Sequence, residues 1–260
     1  MIKAELHCHT THSKGSKILI EGINTPEEMV KRAKEIGLDA IAITDHNTVK
    51  GSLEAMKYAK KYGIIVIPGV EVSTSDGHVV ALGVKKDIPK GLSVEETMEK
   101  IHEQNGVGIA VHPFDVRDYG LGKRCLECDA VEVFNAQNLE KISNWKACRF
   151  VRSRRIPITA GSDAHAASMI GCGITIIDAK KDTGEILNAI KKGDTQMECS
   201  YIPIKDVVEW SITRLRRSYK STQDYIEKNY MTPKRQIARN LLKLVRKKGK
   251  RDYGFRALGY

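Results

Sequence analysis

The chain has 260 residues, 41% of them hydrophobic and 29% charged, enough apolar material for one large α/β domain or a medium domain with an appendage. This composition excludes a disordered chain, and no run of about 18 apolar residues is present to span a membrane as a helix. The net charge of +11 is unevenly spread, with 27 basic against 27 acidic residues up to Ile204 and 16 against 5 from Lys205 onward, so a neutral domain over 1–204 and a basic helical region over 205–260 are expected.

In chain order, the pattern predicts a strand over 2–6, then a helix over 26–37 with Thr25 as N-cap and Gly37 as its stop. Strands follow over 40–44 (AIAIT) and 64–67 (IIVI), with a helix over 48–62 between them. A strand over 79–84, a helix over 93–105 and strands over 108–111 (GIAV) and 130–134 come next. A helix over 138–154, strands over 157–160 and 173–177, and a helix over 183–192 complete the neutral region. Continuous apolar runs such as these suit strands buried on both faces, and the strand–helix order predicts a parallel sheet with helical crossovers. Past Pro203 only helices are expected, over 205–219 and 233–248, the second with Ile237, Leu241, Leu244 and Val245 on one stripe. The N-terminal MIKAELHCH lacks a secretory pattern, so a cytoplasmic location is expected, with the six scattered cysteines as reduced thiols.

The residues that follow these strands carry the chemistry. His7 and His9 follow Leu6, Asp45 and His46 follow Thr44, Glu71 follows Pro68, His112 follows Val111, and Asp163 and His165 follow Ala160. His78 stands just before its strand. In a parallel β/α barrel the C-terminal strand ends converge on one mouth, so residues remote in sequence become neighbours there. Imidazole and carboxylate ligands suit Zn²⁺, Mn²⁺ or Fe, and eight of them exceed one tetrahedral site, so two or more metals are implied. Such clusters activate water and clamp phosphoryl oxygens. His12 and His102 read as ordinary surface or core histidines.

HCHT at 7–10, TDH at 44–46, GVE at 69–71, HP at 112–113 and SDAH at 162–165 together resemble the PHP (polymerase and histidinol phosphatase) family, over roughly 1–201. The resemblance implies a distorted TIM-like (β/α)7 barrel, here with a basic C-terminal helical extension, that binds two or three divalent metals and hydrolyses phosphoesters. It implies His7, His9, Glu71, His112, Asp163 and His165 as metal ligands, with His7, His9, Glu71, Asp163 and His165 also catalytic, His46 as an outer ligand, and Glu71 as the bridging carboxylate. Many relatives place a histidine where Val80 stands, and His78, on the same strand face, is expected to reach that metal. Lys14 stands where relatives often carry an aspartate, which should weaken a third metal site. Its alternative role is contact with a substrate phosphate.

Asn135 resembles a position facing the substrate, or is a turn-favouring residue. Arg117, Lys123 and Arg124 form a loop that either grips phosphate or is solvated. The Cys125–Cys128 pair lacks a second ligand pair for zinc and the strand-to-helix setting of a redox site. The leading expectation is a metal-dependent phosphomonoesterase on a nucleotide-like substrate. The alternatives are a 5′–3′ exonuclease or other nuclease holding DNA or RNA through the basic region, where Tyr219, Tyr225 and Tyr230 would stack bases, and a non-catalytic nucleic-acid-binding metal protein. The basic helices otherwise simply pack on the barrel.

Overall fold

A computed structural model describes residues 1–14 and 20–230, with side chains described through residue 224. The helix expected over 233–248 and the side chains of Tyr225 and Tyr230 lie outside the described residues.

Among the described residues nine strands form one sheet: β1 (Ile2–Glu5), β2 (Ala40–Ile43), β3 (Ile65–Ser73), β4 (His78–Leu82), β5 (Val107–Ala110), β6 (Ala130–Asn135), β7 (Ile158–Gly161), β8 (Gly173–Ile177) and β9 (Thr195–Cys199). Their order is β7-β6-β5-β4-β3-β2-β1-β8-β9. The sheet curls into a nearly closed barrel. Side chains stitch its seam: Ala160 N–H on β7 donates to Thr175 Oγ1 on β8 at 3.0 Å, and Thr195 Oγ1 on β9 donates to Ile158 O at 2.7 Å.

The sheet is mixed rather than parallel. β1–β2, β2–β3, β5–β6 and β6–β7 pair parallel, while β3–β4, β4–β5, β1–β8 and β8–β9 pair antiparallel. The reason is local at β3. It runs on past Pro68 to Ser73, and the tight turn closed by Thr74 N–H to Gly77 O at 2.9 Å leaves no room for a crossover, so a hairpin results. β9 escaped the sequence pattern because TQMEC buries no continuous apolar face.

The helices are α1 (Pro26–Glu35), α2 (Lys50–Met56), α3 (Ala59–Tyr62), α4 (Val94–His102), α5 (Ile142–Val151), α6 (Thr183–Lys192) and α7 (Ile204–Tyr230). Thr25 with Glu28, and Ser93 with Glu96, form capping boxes that satisfy the first N–H groups of α1 and α4. The single helix expected over 48–62 breaks into α2 and α3. Lys57 and Tyr58 N–H tighten onto the carbonyls of Glu54 and Ala55, and Met56, Tyr58 and Tyr62 turn against the core. Inside the barrel, Ile2, Leu6, Ile67, Leu82 and Ile109 from alternate strand positions pack with Ile186 and Ile190 of α6. Each such side chain stabilises the fold by roughly 1.5–3 kcal/mol.

The chain divides into two compact units, Met1–Leu215 and Arg216–Tyr260. The first therefore runs past the composition break at Ile204 and includes the start of α7. Of the second, residues 216–230 are helical and Tyr219 is exposed. Among the described residues no helix is long and apolar enough to cross a membrane.

Candidate metal centre

One end of the barrel collects the histidines. Past β1 the chain bridges at Cys8 to Ala164, with His9 N–H donating to Ala164 O at 2.8 Å, so the His7–His9 and Asp163–His165 segments lie side by side. A bridge between His46 and Glu71 brings the segment after β2 against β3. His78 belongs to the same end because β4 runs antiparallel and pairs it with Ser73. Its place before its strand is thus a consequence of the hairpin.

Glu71, 1% exposed, stands at the centre. Its Oε1 lies 2.8 Å from His78 Nδ1 and 3.2 Å from His112 Nε2. Its Oε2 lies 3.3 Å from His7 Nε2, 3.2 Å from His9 Nε2 and 3.2 Å from His46 Nδ1. Asp163 Oδ1 lies 3.2 Å from His9 Nε2 and 3.6 Å from His7 Nε2. His165 stacks on His9 with centroids 4.3 Å apart. His112 and Asp163 hold positive φ angles of 33° and 51°, a backbone strain that the surrounding strand ends must impose.

Other groups fix the rings from behind. His7 Nδ1–H donates to Glu132 Oε1 at 3.0 Å, which leaves the Nε2 lone pair facing the cluster. The second oxygen of Glu132 accepts from His112 N–H at 3.0 Å and from Asn135 Nδ2 at 2.9 Å. His165 Nδ1–H donates to Asp163 O at 2.8 Å, and His9 Nδ1 meets Ser13 Oγ at 3.2 Å. Gly161 makes the close packing possible, since a Cβ there would lie 2.2 Å from Glu132 Oε1. Asp45 accepts from Thr10 N–H at 2.6 Å and Thr10 Oγ1–H at 2.7 Å, and so clamps the HCHT turn without joining the cluster. Glu5 accepts from Ser162 N–H at 2.9 Å and Gly171 N–H at 3.1 Å, tying β1 to the segment after β7.

The electrostatics of these side chains are unbalanced. Burial opposes charge on His9, yet Asp163 and Glu71 push its pKa up to about 10. Burial likewise opposes charge on His7, yet Asp163, Glu132 and Glu71 hold it well above the usual imidazole range. Burial pushes His46 down to about 4, aided by His9 and His78, and pushes His165 down to about 3, aided by His9. Burial would raise Glu71 and Asp163, but the surrounding imidazoles keep both well below the usual carboxylate range.

Two observations fit this cluster to metal ions. Two ligands each about 2.1 Å from one ion lie about 3.0–3.5 Å apart, as most nitrogen–oxygen pairs here do. In addition, His46 Nδ1 and His78 Nδ1 are buried without a hydrogen bond, because their N–H directions miss the nearby Glu71 oxygens. Convergent lone pairs without N–H partners suit a cation. Four overlapping trios bring their ligand atoms within 4.8 Å of one another: His7, Glu71 and His112; His7, His9 and Asp163; His46, Glu71 and His78; and His9, His46 and His165.

A cavity of about 420 Å³ opens above the cluster, walled by Lys14, Lys90, Arg117, Tyr119, Trp210 and Arg214. Arg117 Nε and one terminal nitrogen grip Asp115 Oδ2 at 3.1 and 2.5 Å, which fixes the guanidinium on the cavity wall. Tyr119 stacks on His78 at 5.3 Å with planes 9° apart. Asn135, one of the expected substrate contacts, is fully buried and spends its amide on Glu132 and Asp163, so it sits behind the ligands rather than in the cavity. Arg124 pairs with Asp76, Glu95 and Glu127 and does not line the cavity. His12 pairs with Glu54 and His102 with Asp129, both away from the cluster. Cys125 and Cys128 are buried free thiols, and burial pushes both pKa values up, which suits neither redox chemistry nor a metal knuckle.

Sequence reasoning missed Glu132, Glu5, Glu21, Trp210 and Arg214. The first two had a signal: an acid inside an otherwise apolar strand, in AVEVF and IKAEL, must have a buried partner. Glu21 lies in a loop without pattern, and Trp210 and Arg214 lie in the region assigned to the basic appendage.

A family profile described as PHP-associated matches residues 141–195. An uncharacterized protein of Methanocaldococcus jannaschii is 43% identical over 149 residues, which cover 55% of this chain and 87% of the relative. A 5′-3′ exoribonuclease of Haemophilus influenzae is 37% identical over 111 residues, covering 41% of this chain and 38% of that protein. Among solved structures, a two-domain protein of Bacteroides vulgatus containing a predicted PHP-like metal-dependent phosphoesterase superposes with a TM-score of 0.65 at 18% identity, covering 76% of this chain and 65% of that one.

Proposed function

Since the chain belongs to the PHP family, we propose that it is a divalent-metal-dependent phosphoesterase that hydrolyses a phosphomonoester of nucleotide-like size. The observation that carries this reading is Glu71, a buried carboxylate met by five imidazole nitrogens at 2.8–3.3 Å under an open cavity. His7, His9, Glu71 and Asp163 would hold one ion, Glu71, His78 and His112 a second, and His46 and His165 the side open to a third. Bound Mn²⁺, Zn²⁺ or Fe would supply an activated water and neutralise charge on the phosphoryl oxygens.

The chain's own residues do the rest. Glu132, Ser13 and the Asp163 carbonyl hold the imidazoles as ligands by engaging their far nitrogens. Arg117, pinned by Asp115, offers its remaining N–H groups to a phosphate without reorganising. Lys14 and Lys90 add charge at the rim. The test is a panel of nucleoside monophosphates, bisphosphates, histidinol phosphate and 5′-phosphorylated oligonucleotides with Mn²⁺, and Asp163→Ala as control. Activity unchanged in that control removes the proposed site.

A second reading is supported by the excess of 16 basic over 5 acidic residues from Lys205 and by the exoribonuclease relative. In it the same site removes nucleotides from a 5′ end while the basic region holds the strand. Oligonucleotide cleavage would then weaken steeply with salt, whereas mononucleotide hydrolysis would not. Equal salt dependence for the two substrates rejects the polymer reading.

A further inference from the structure

The neutrality of 1–204 hides a local imbalance. From Lys141 to Arg155 the sequence holds six basic residues and no acidic one, leaving 21 basic against 27 acidic residues in the rest of 1–204. This run is α5 with its two ends. Lys141, Trp145, Arg149 and Arg152 recur every three or four residues and share one face, with Lys146 beside them. All five are exposed. Elsewhere on the barrel Arg117, Arg124, Lys181 and Lys191 each pair with a carboxylate. Among the described residues none of the six cations of this run does. Lys141 lies over the Tyr201 ring and Arg154 over the Phe150 ring instead.

Trp145 leaves 57% of its surface in solvent, with the Arg149 guanidinium 5.4 Å from its ring centroid. An indole held in water forgoes the stabilisation of burial. An exposed ring among unpaired cations is the combination on which single strands stack their bases and lay their phosphates. The start of this face is fixed at the metal end of the barrel. Asn144 Oδ1 accepts from Asn135 N–H at 3.1 Å and its Nδ2 donates to Asn135 O at 2.9 Å, so the first turn of α5 is tied to the end of β6, behind the ligands. In the connecting loop Gln137 lines the cavity and donates to Asp163 O at 3.1 Å. Because β6 and β7 pair parallel, α5 must carry the chain back from the metal end to the start of β7. Its outer face therefore begins beside the cavity and runs away from it for about 16 Å between Lys141 and Arg152.

We propose that the outer face of α5 is a track for single-stranded nucleic acid, in which Lys141, Lys146, Arg149 and Arg152 hold phosphates and Trp145 stacks a base while the end of the strand occupies the cavity. The proposal rests on the polymer reading of the site given above. It adds a surface on the barrel itself, separate from the basic region after Lys205. Charge complementarity selects the occupant: a phosphodiester chain meets the unpaired cations along its length, meets the ring with its bases, and brings a phosphate to the metal centre at its end.

Binding of a fluorescent, 5′-phosphorylated single strand to the full protein would be followed by anisotropy over a series of salt concentrations. Mn²⁺ would be present and phosphorothioate linkages would slow cleavage. The double variant Arg149→Gln, Arg152→Gln should bind about tenfold more weakly and lower the slope of log affinity against log salt by about 1.4, or 0.7 for each phosphate contact removed. Trp145→Ala should weaken binding about 5–150-fold, and Trp145→Phe should recover most of the loss, because a ring is kept for stacking. Circular dichroism checks that each variant is folded, and loss of a merely structural contact would not lower the salt slope. Wild-type affinity and slope in both the arginine pair and Trp145→Ala overturn the proposal and leave the polymer reading in place. A wild-type chain that binds no strand removes the polymer reading and the α5 track with it. Duplex bound as tightly as the single strand, with no loss in Trp145→Ala, overturns the single-strand assignment. Binding to phosphatidylserine vesicles that the α5 variants lose, with strand binding unchanged, overturns it in favour of a membrane surface.

Discussion

Replacing Glu132 by Gln changes one oxygen into an NH₂ group, and the surroundings leave nowhere for it to go. The carboxylate accepts three hydrogen bonds, from His7 Nδ1–H, His112 N–H and Asn135 Nδ2–H. If the new amide turns its NH₂ to His7, the imidazole must accept at Nδ1 and carry its proton on Nε2, the atom 3.3 Å from Glu71. That tautomer cannot bind a metal. If the NH₂ turns the other way, it faces two donors in a buried site, at a cost of about 1–3 kcal/mol for the groups left unmade. The expected result is a loss of about 10–100-fold in affinity for the His7 metal, equivalent to about 1.4–2.8 kcal/mol. Metal-free Tm should also fall. Competition against a chelator of known affinity measures the first effect and thermal unfolding after chelation the second. A folded Glu132→Gln protein with wild-type metal affinity would refute the claim that Glu132 sets the His7 tautomer.

Chelation alone should destabilise the wild-type protein, since ions that bind only the folded state contribute about 4 kcal/mol at a thousandfold excess over Kd. An unchanged Tm in excess chelator argues against bound metal. Burial pushes Glu5 from an ordinary value of 4.5 up to about 7, so the fold prefers its neutral form. The Glu5 contribution is therefore full below about pH 4.5 and falls by about 3 kcal/mol as pH rises to about 7. Plots of Tm against pH for chelated wild type and Glu5→Gln should diverge across that window, and parallel plots would contradict it. Arg117→Lys keeps the charge but loses the fork on Asp115, so KM should rise about tenfold with metal content unchanged. A fall in metal content, or no change in KM, would place Arg117 outside substrate binding.

The difference between what the sequence revealed and what it concealed follows from where each residue's constraint lies. The histidines were legible because each follows or opens a short apolar run, and a barrel converts that local placement into one cluster. His78 looked misplaced only while every strand was taken as parallel. The short turn at 74–77 reverses β4, and the start of that strand becomes the same barrel end as the finish of β3. Glu132 is a different case. Its role depends on the register of β6 against β7 and on Gly161 leaving room for its oxygen, and neither is written in a local pattern. Glu21, Trp210 and Arg214 are harder still, because the contact joins residues about 190 positions apart in a loop and a helix that both look unremarkable alone. Charge counting placed Trp210 and Arg214 with the basic region, since Arg214 is one more cation in a cationic stretch. In the structure Arg214 instead holds Ile20 O and faces the Glu21 carboxylate, so its positive charge serves the barrel end. The charge boundary and the boundary of the compact unit therefore differ, and Trp210 and Arg214, between Ile204 and Leu215, reach the candidate site by their contacts although composition groups them with the tail.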